Sequence, residues 1–181
     1  MRTGTSQTRL IILRGNSATG KSATAAGIRS RCLPHRVAIV GQDYLRRTVL
    51  KEPDKPHGAS IGLIEAVARY CLDQSLDTIV EGILYSDHYG AMLAALTADH
   101  AGTTTCCYFD IPFSETLRRH ATKQQAAEYG ETEMATWYRE RDLLPDGREE
   151  VITAEMSLDD IIKHIIRLSG LGVSVAAPRA N

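Results

Sequence analysis

The chain has little that would take it out of the ordinary globular class. Its 181 residues carry a formal net charge of only −1, so no bulk basic field draws it to extended nucleic acid or to an anionic membrane. No apolar stretch approaches the length of a membrane span, and the N-terminus lacks the apolar core of a signal peptide. A cytoplasmic location without a membrane partner is therefore expected. The four cysteines, Cys32, Cys71, Cys106 and Cys107, form no CxxC, and the adjacent pair sits in an apolar run whose side chains alternate between the faces of a strand. Buried free thiols are expected in place of disulfides or a zinc site. The six histidines form neither HxxxH nor HExxH, which argues against a structural metal. There is no NKxD guanine-reading motif, no internal repeat and no second domain. What remains, 43% hydrophobic and 24% charged residues, is enough for one core without disulfides.

Five segments read as strands: Arg9–Arg14, Arg36–Gly41, Asp77–Leu84, Thr103–Ile111 and, more weakly, Glu149–Thr153. Several are continuous apolar runs, as expected for strands covered on both faces. Between and after them lie candidate helices at Lys21–Arg31, Ala59–Ser75, Ser86–Ala98, Pro112–Lys123 and Ser157–Leu168. Ser86, Ser114 and Ser157 stand where N-caps or first-turn residues would. The alternation predicts a three-layer α/β/α sandwich around a five-stranded parallel sheet, with ligands gathered beyond the C-terminal ends of the strands. Residues 1–8 are polar and expected to fray, and a flexible tail is expected over 169–181. Lys51–Gly58, with two prolines, and the polar Gln124–Gly147 are long enough to be moving covers over a site.

One motif carries chemistry by itself. Gly15-Asn16-Ser17-Ala18-Thr19-Gly20-Lys21-Ser22 has the GxxxxGKS spacing of a phosphate-binding P-loop, between the apolar run Leu10–Leu13 and a helix-forming stretch that opens at Ala23. Successive loop N–H groups make a nest open to an anion, and the helix N-terminus adds partial positive charge. Lys21 is expected to reach the β- and γ-phosphates of a nucleoside triphosphate, and the Ser22 hydroxyl to bind Mg²⁺. ATP and Mg²⁺ are the expected cofactors, with residues 15–23 as the nucleotide-binding set.

Around this motif stand the candidates for an acceptor site. Asp43 follows the second strand directly, where a carboxylate can accept a proton from an attacking hydroxyl or hold Mg²⁺ through water; its plainer reading is a helix N-cap. Tyr44 adjoins it, and Arg46 shares its helical face, suited to an acceptor's anionic group. Glu81 ends the third strand beside Gly82, placed to hold a hydroxyl or a metal-bound water. Tyr85 and His88 follow as candidate pocket residues. Cys107-Tyr108-Phe109-Asp110 has the form of a Walker B strand, but Pro112 and Ser114 favour a capping role for Asp110. A basic cluster, Arg118-Arg119-His120-Ala121-Thr122-Lys123 and then Arg139-Glu140-Arg141, opens and closes the polar insert. In isolation it is a solvated helix face. Placed on a lid over about 119–147, its guanidinium groups suit the charge that spreads over a transferring phosphoryl.

Taken together, Gly15–Ser22, Asp43, Glu81 and the run Tyr108–Lys123 resemble the nucleoside-monophosphate-kinase-like P-loop kinases, and within them the zeta-toxin kinases and chloramphenicol phosphotransferase. The resemblance covers roughly Arg9 to Leu168. It implies a P-loop NTPase fold with a helical lid, ATP·Mg²⁺ as donor, Asp43 as catalytic base and Glu81 as an acceptor contact. It also implies Arg119, Lys123, Arg139 and Arg141 as lid cations, with an antitoxin-type protein partner if the chain is zeta-like. Lys123 stands where zeta-like kinases often carry Arg, and the chain is short for a nucleotide-sugar pocket. The expected activity is therefore transfer of the γ-phosphate to a hydroxyl of a small molecule such as an antibiotic, nucleoside or sugar. Rival readings are a nucleotide-sugar kinase, a kinase of nucleotides or nucleic-acid ends, and a nucleotide-dependent switch.

Overall fold

The apolar runs pair as an all-parallel, five-stranded sheet in the order β2-β3-β1-β4-β5. The computed structural model describes residues 1–32, 36–122 and 129–172. The strands are β1 (Arg9–Gly15), β2 (Val37–Gly41), β3 (Asp77–Glu81), β4 (Thr103–Asp110) and β5 (Glu149–Thr153). The helices are α1 (Lys21–Arg31), α2 (Ala59–Asp73), α3 (Ser86–Asp99), α4 (Phe113–His120), α5 (Glu131–Trp137) and α6 (Leu158–Ser169). A short π-helical turn, Tyr44–Val49, follows β2. Lys123, the front of the polar insert and residues 173–181 of the tail lie outside the described residues.

The sheet has two covered faces because β1, at its centre, is apolar on both. Leu10 and Ile12 pack with Ile64, Ala68 and Leu72 of α2 and Leu93 and Leu96 of α3. Ile11 and Leu13 pack on the other side with Ala25 and Ile28 of α1 and Ile161, Ile162 and Ile165 of α6. Each such side chain, fully buried, contributes about 1.5–3 kcal/mol relative to exposure. Ser157 caps α6 by accepting from the Asp160 N–H at 3.2 Å, and Gly170 ends it in the left-handed region at φ +66°. All four cysteines are free, and burial pushes the Cys106 thiol up to about 11 and the Cys107 thiol up to about 12.

Residues 1–8 make contacts with the body of the fold: Thr3 bridges to His100, its hydroxyl donates to Asp73 at 2.7 Å, and the Met1 ammonium meets Asp99 at 2.9 Å. Hydroxyls supply the anchors, so the segment needs no apolar side chain to dock. The loop at Lys51–Gly58 is also tied down. The Glu52 carboxylate accepts from the N–H groups of Ala59 and Ser60 at 2.9 and 2.8 Å, which caps α2 and lowers the pKa of Glu52. Asp110 ends β4 but makes no cap for α4, whose N-cap is Pro112. The described part of the lid holds one helix, α5, followed by an irregular return with two turns toward β5. No helix among the described residues is long and apolar enough to cross a membrane.

Candidate active site

Strand register brings the chemistry to one edge. Leu13 pairs with Glu81, Gly41 with Glu81, and Gly15 with Phe109, so the P-loop, Asp43 and the end of β3 leave the sheet side by side. The P-loop depends on its glycines. Gly15 sits at φ +136°, where a Cβ would lie 2.7 Å from the Phe109 carbonyl oxygen, and Gly20 at φ +106° forms the N-cap of α1. That helix has no side-chain cap and no acidic residue in its first turn, leaving its N–H groups to an anion. Lys21 is buried, and its Nζ donates to the Asn16 carbonyl at 2.7 Å and the Thr19 hydroxyl at 3.1 Å.

A cavity of about 570 Å³ opens beside the loop. Of the expected residues, Ser17, Ala18, Lys21, Ser22, Asp43, Arg46, Glu81, Tyr85, His88 and Arg139 line it. Ser22 Oγ donates to Glu81 Oε2 at 3.0 Å, a pair of hard oxygen donors beside the anion nest. This donor set fits Mg²⁺, which prefers one or two protein oxygens with phosphate and water completing its shell. Asp43 is 66% exposed, and its Oδ1 meets Arg46 at 3.1 Å and Arg47 at 3.4 Å. Tyr85 is buried, which pushes its phenol up to about 12; its hydroxyl donates to the Trp137 carbonyl at 2.6 Å. The Arg139 guanidinium stacks 3.9 Å over the Tyr85 ring and pairs with Asp87 at 2.6 Å, which lowers the Asp87 pKa.

Arg119 lies on the other side of the loop. Its Nη1 donates to the Thr19 carbonyl at 3.0 Å, and its Nε to Glu115 at 2.7 Å. Hydrogen bonds from Arg118 and Arg119 pull the Glu115 carboxyl down to about 2. Between Arg119 and Thr122 and loop residues 18–23 is a second hollow of about 220 Å³. Two expected residues are not brought in. Tyr44 is 63% exposed and off the cavity, because the π-helical turn directs Leu45 to the core and Arg46 inward. Arg141 is exposed at φ +46°; its neighbour Asp142 is anchored inward, and that backbone turn sends Arg141 out.

Sequence reasoning missed the supports. Arg14 is fully buried, donating to the Leu84 carbonyl at 2.9 Å, Glu149 at 2.7 Å and both the carbonyl and carboxylate of Asp142 at 3.0 and 3.2 Å. Asp142 in turn accepts from the Ser86 N–H at 2.9 Å and from the Ser86 hydroxyl, holding the start of α3. Asn16, at a variable position of the motif, pairs with the lid backbone: its Nδ2 donates to the Arg139 carbonyl at 2.7 Å and its Oδ1 accepts from the Arg139 N–H at 2.9 Å. Asp54 was missed as well. It accepts from Gln42 at 2.9 Å and Tyr89 at 3.1 Å, and lies 3.4 Å from His88. The cue for Asn16 was available, since only the backbone at its position is dictated by phosphate binding.

No protein-family model matches the chain, and no curated protein matches it. Solved structures do. An APS kinase from Mycobacterium tuberculosis, in complex with AMPPNP and APS, superposes with a TM-score of 0.70 at 17% identity, covering 93% of this chain and 98% of that one. A tunicamycin resistance protein from Deinococcus radiodurans gives 0.66 at 16% identity, over 92% of this chain and 98% of its own. A gluconokinase from Sinorhizobium meliloti gives 0.61 at 15% identity, over 94% and 93%. The chain shares the fold of these structures. At these identities the likeness speaks to architecture, and the site must argue the chemistry.

Proposed function

We propose that the protein is an ATP-dependent kinase that phosphorylates a hydroxyl of a small molecule. The observation that carries this reading is a single cavity lined both by P-loop residues, Lys21 and Ser22, and by the carboxylates Asp43 and Glu81. A nucleotide switch has no need of an acceptor hollow opening onto its γ-phosphate site. The structural neighbours include proteins named as an APS kinase, a gluconokinase and a sugar kinase, which supports the same class.

In this reading the loop N–H groups and the start of α1 hold the β- and γ-phosphates, and Lys21 turns from Asn16 and Thr19 to meet them. Ser22, with Glu81 behind it, would hold Mg²⁺, which when bound would supply charge neutralisation on the phosphoryl oxygens. Arg119 borders the smaller hollow over the loop and is the lid cation best placed for the donor side. Asp43 orients the acceptor and takes its proton as the hydroxyl oxygen bonds to the γ-phosphorus and the bond to the ADP oxygen breaks. A cavity of about 570 Å³, part of it reserved for the triphosphate end, suits a nucleoside, sugar or antibiotic better than a nucleotide sugar. Among the zeta-toxin and chloramphenicol-phosphotransferase types, this favours the small-acceptor end. Replacing Asp43 with Asn is expected to lower turnover about 10²–10⁴-fold while leaving nucleotide affinity unchanged. A phosphoryl-transfer screen over hydroxylated compounds reads the first and calorimetry with AMPPNP the second; unaltered turnover refutes the assignment.

A further inference from the structure

Asn16 is buried and touches both halves of the site. Its backbone belongs to the phosphate side, where its carbonyl accepts from Lys21 Nζ at 2.7 Å and from the Thr19 hydroxyl at 2.9 Å. Its side chain belongs to the acceptor side, where the amide closes a two-point pair with the Arg139 backbone. The segment it grips is a wall of the larger cavity. Trp137 and Arg139 line that cavity together with Tyr85, whose hydroxyl donates to the Trp137 carbonyl and whose ring carries the Arg139 guanidinium. Further along, the Tyr138 hydroxyl donates to the Ile111 carbonyl at 3.2 Å, the Asp142 N–H to the Tyr108 hydroxyl at 3.0 Å and the Leu144 N–H to Glu149 at 2.6 Å. Residues 137–144 are thus fastened to the body of the fold at several points. Of these fastenings, the Asn16 pair is the one that starts in the phosphate-binding loop.

Resting on the kinase reading, we infer that Asn16 is a positioning residue that couples the two sites: phosphate in the loop tightens the acceptor wall at residues 137–139 through the Asn16 amide. When Lys21 turns to the phosphates it leaves the Asn16 carbonyl, and the loop N–H groups close on the anion. A loop ordered in this way has already lost the freedom that its side-chain amide gives up to hold Arg139. The pair to the wall then strengthens without a change of shape. By reciprocity, an acceptor that orders the wall tightens the loop on its nucleotide.

The test uses the full chain with AMPPNP·Mg²⁺ and reads the wall directly. Hydrogen exchange at the Arg139 amide, which donates to Asn16 Oδ1, is expected to slow about 5–150-fold on nucleotide binding, the range of a typical coupling between sites. Trp137 is the chain's single tryptophan, so quenching of its fluorescence by acrylamide reports the same wall and is expected to fall. In Asn16→Ala, calorimetry is expected to find AMPPNP still bound, with both responses lost. A merely structural Asn16 predicts otherwise: its removal speeds exchange with and without nucleotide alike and leaves the response to nucleotide in place. Arg139→Gln keeps the backbone pair and is expected to retain both responses. Responses that are missing from the unaltered chain, kept in Asn16→Ala or lost in Arg139→Gln overturn the inference and leave the kinase standing. The first and third of these results do not depend on the folding of an Asn16 variant. Absence of AMPPNP binding to the unaltered chain overturns the kinase reading, and the inference with it.

Discussion

Replacing Arg14 with Met removes a guanidinium that joins β1 to the lid return and to β5. The Met stem refills much of the volume, so the loss is chiefly electrostatic. Four hydrogen bonds disappear, to Leu84, Glu149 and twice to Asp142. The Glu149 side chain, 2% exposed, is left without its cation. Breaking a buried pair from one side costs about 3–5 kcal/mol. Against the roughly 5–15 kcal/mol that holds a domain together, this is a large fraction. Equilibrium unfolding in guanidinium chloride reads it as a lower midpoint with unchanged slope. The double variant Arg14→Met/Glu149→Gln separates lost contacts from stranded charge. The Gln amide oxygen retains the bond that Glu149 accepts from the Leu144 N–H at 2.6 Å, while its charge is gone. The double variant is therefore expected to lose less than the sum of the singles, with a coupling of about 0.5–3 kcal/mol. A cost under about 1 kcal/mol for Arg14→Met, or strict additivity, refutes the account.

Other expectations follow from the site and its supports. Arg119→Ala should lower kcat about 10³-fold, the scale of an arginine that stabilises transition-state charge, whereas Arg141→Ala should leave it unchanged; equal losses in steady-state assays contradict the assignment. Asn16→Ala removes two hydrogen bonds to the Arg139 backbone, each worth about 0.5–1.5 kcal/mol net. Faster hydrogen exchange at the Arg139 amide, without a matching fall in global stability, is the expected signature. Burial lowers the pKa of His100, which is held neutral between Thr8 and Thr104. The folded state then binds fewer protons than the unfolded one, so this contribution is complete above the ordinary 6.5 and is lost as pH falls below it. His100→Gln should flatten thermal stability between pH 7 and 5 relative to the unaltered chain.

What was legible in the chain was local. Leu10–Leu13 is apolar without interruption because both faces of β1 are covered, and that pattern needs no partner to be read. The P-loop is readable because phosphate binding demands glycine at two fixed positions. Glu81 could be placed because an acid ending an apolar run must lie at the strand's edge. The illegible parts depend on distant residues. Arg14 reads as a charge closing β1, and only Asp142 and Glu149, 128 and 135 residues away, make its burial tolerable. Tyr44 and Arg141 have suitable chemistry, but orientation decides use: a π-helical turn and a left-handed backbone angle face them outward. Neither geometry follows from residue type.

The buried thiols have a practical consequence for watching this lid. Thiolate is the form that reacts with alkylating dyes, and burial raises the pKa of all four cysteines, Cys106 and Cys107 most. At neutral pH the native thiols are therefore less reactive than an exposed one. A cysteine introduced at the exposed Ala135 of α5 becomes the reactive thiol in an otherwise unaltered protein. A fluorophore attached there reports the position of the lid against the P-loop as nucleotide and acceptor are added in turn, with no native cysteine removed.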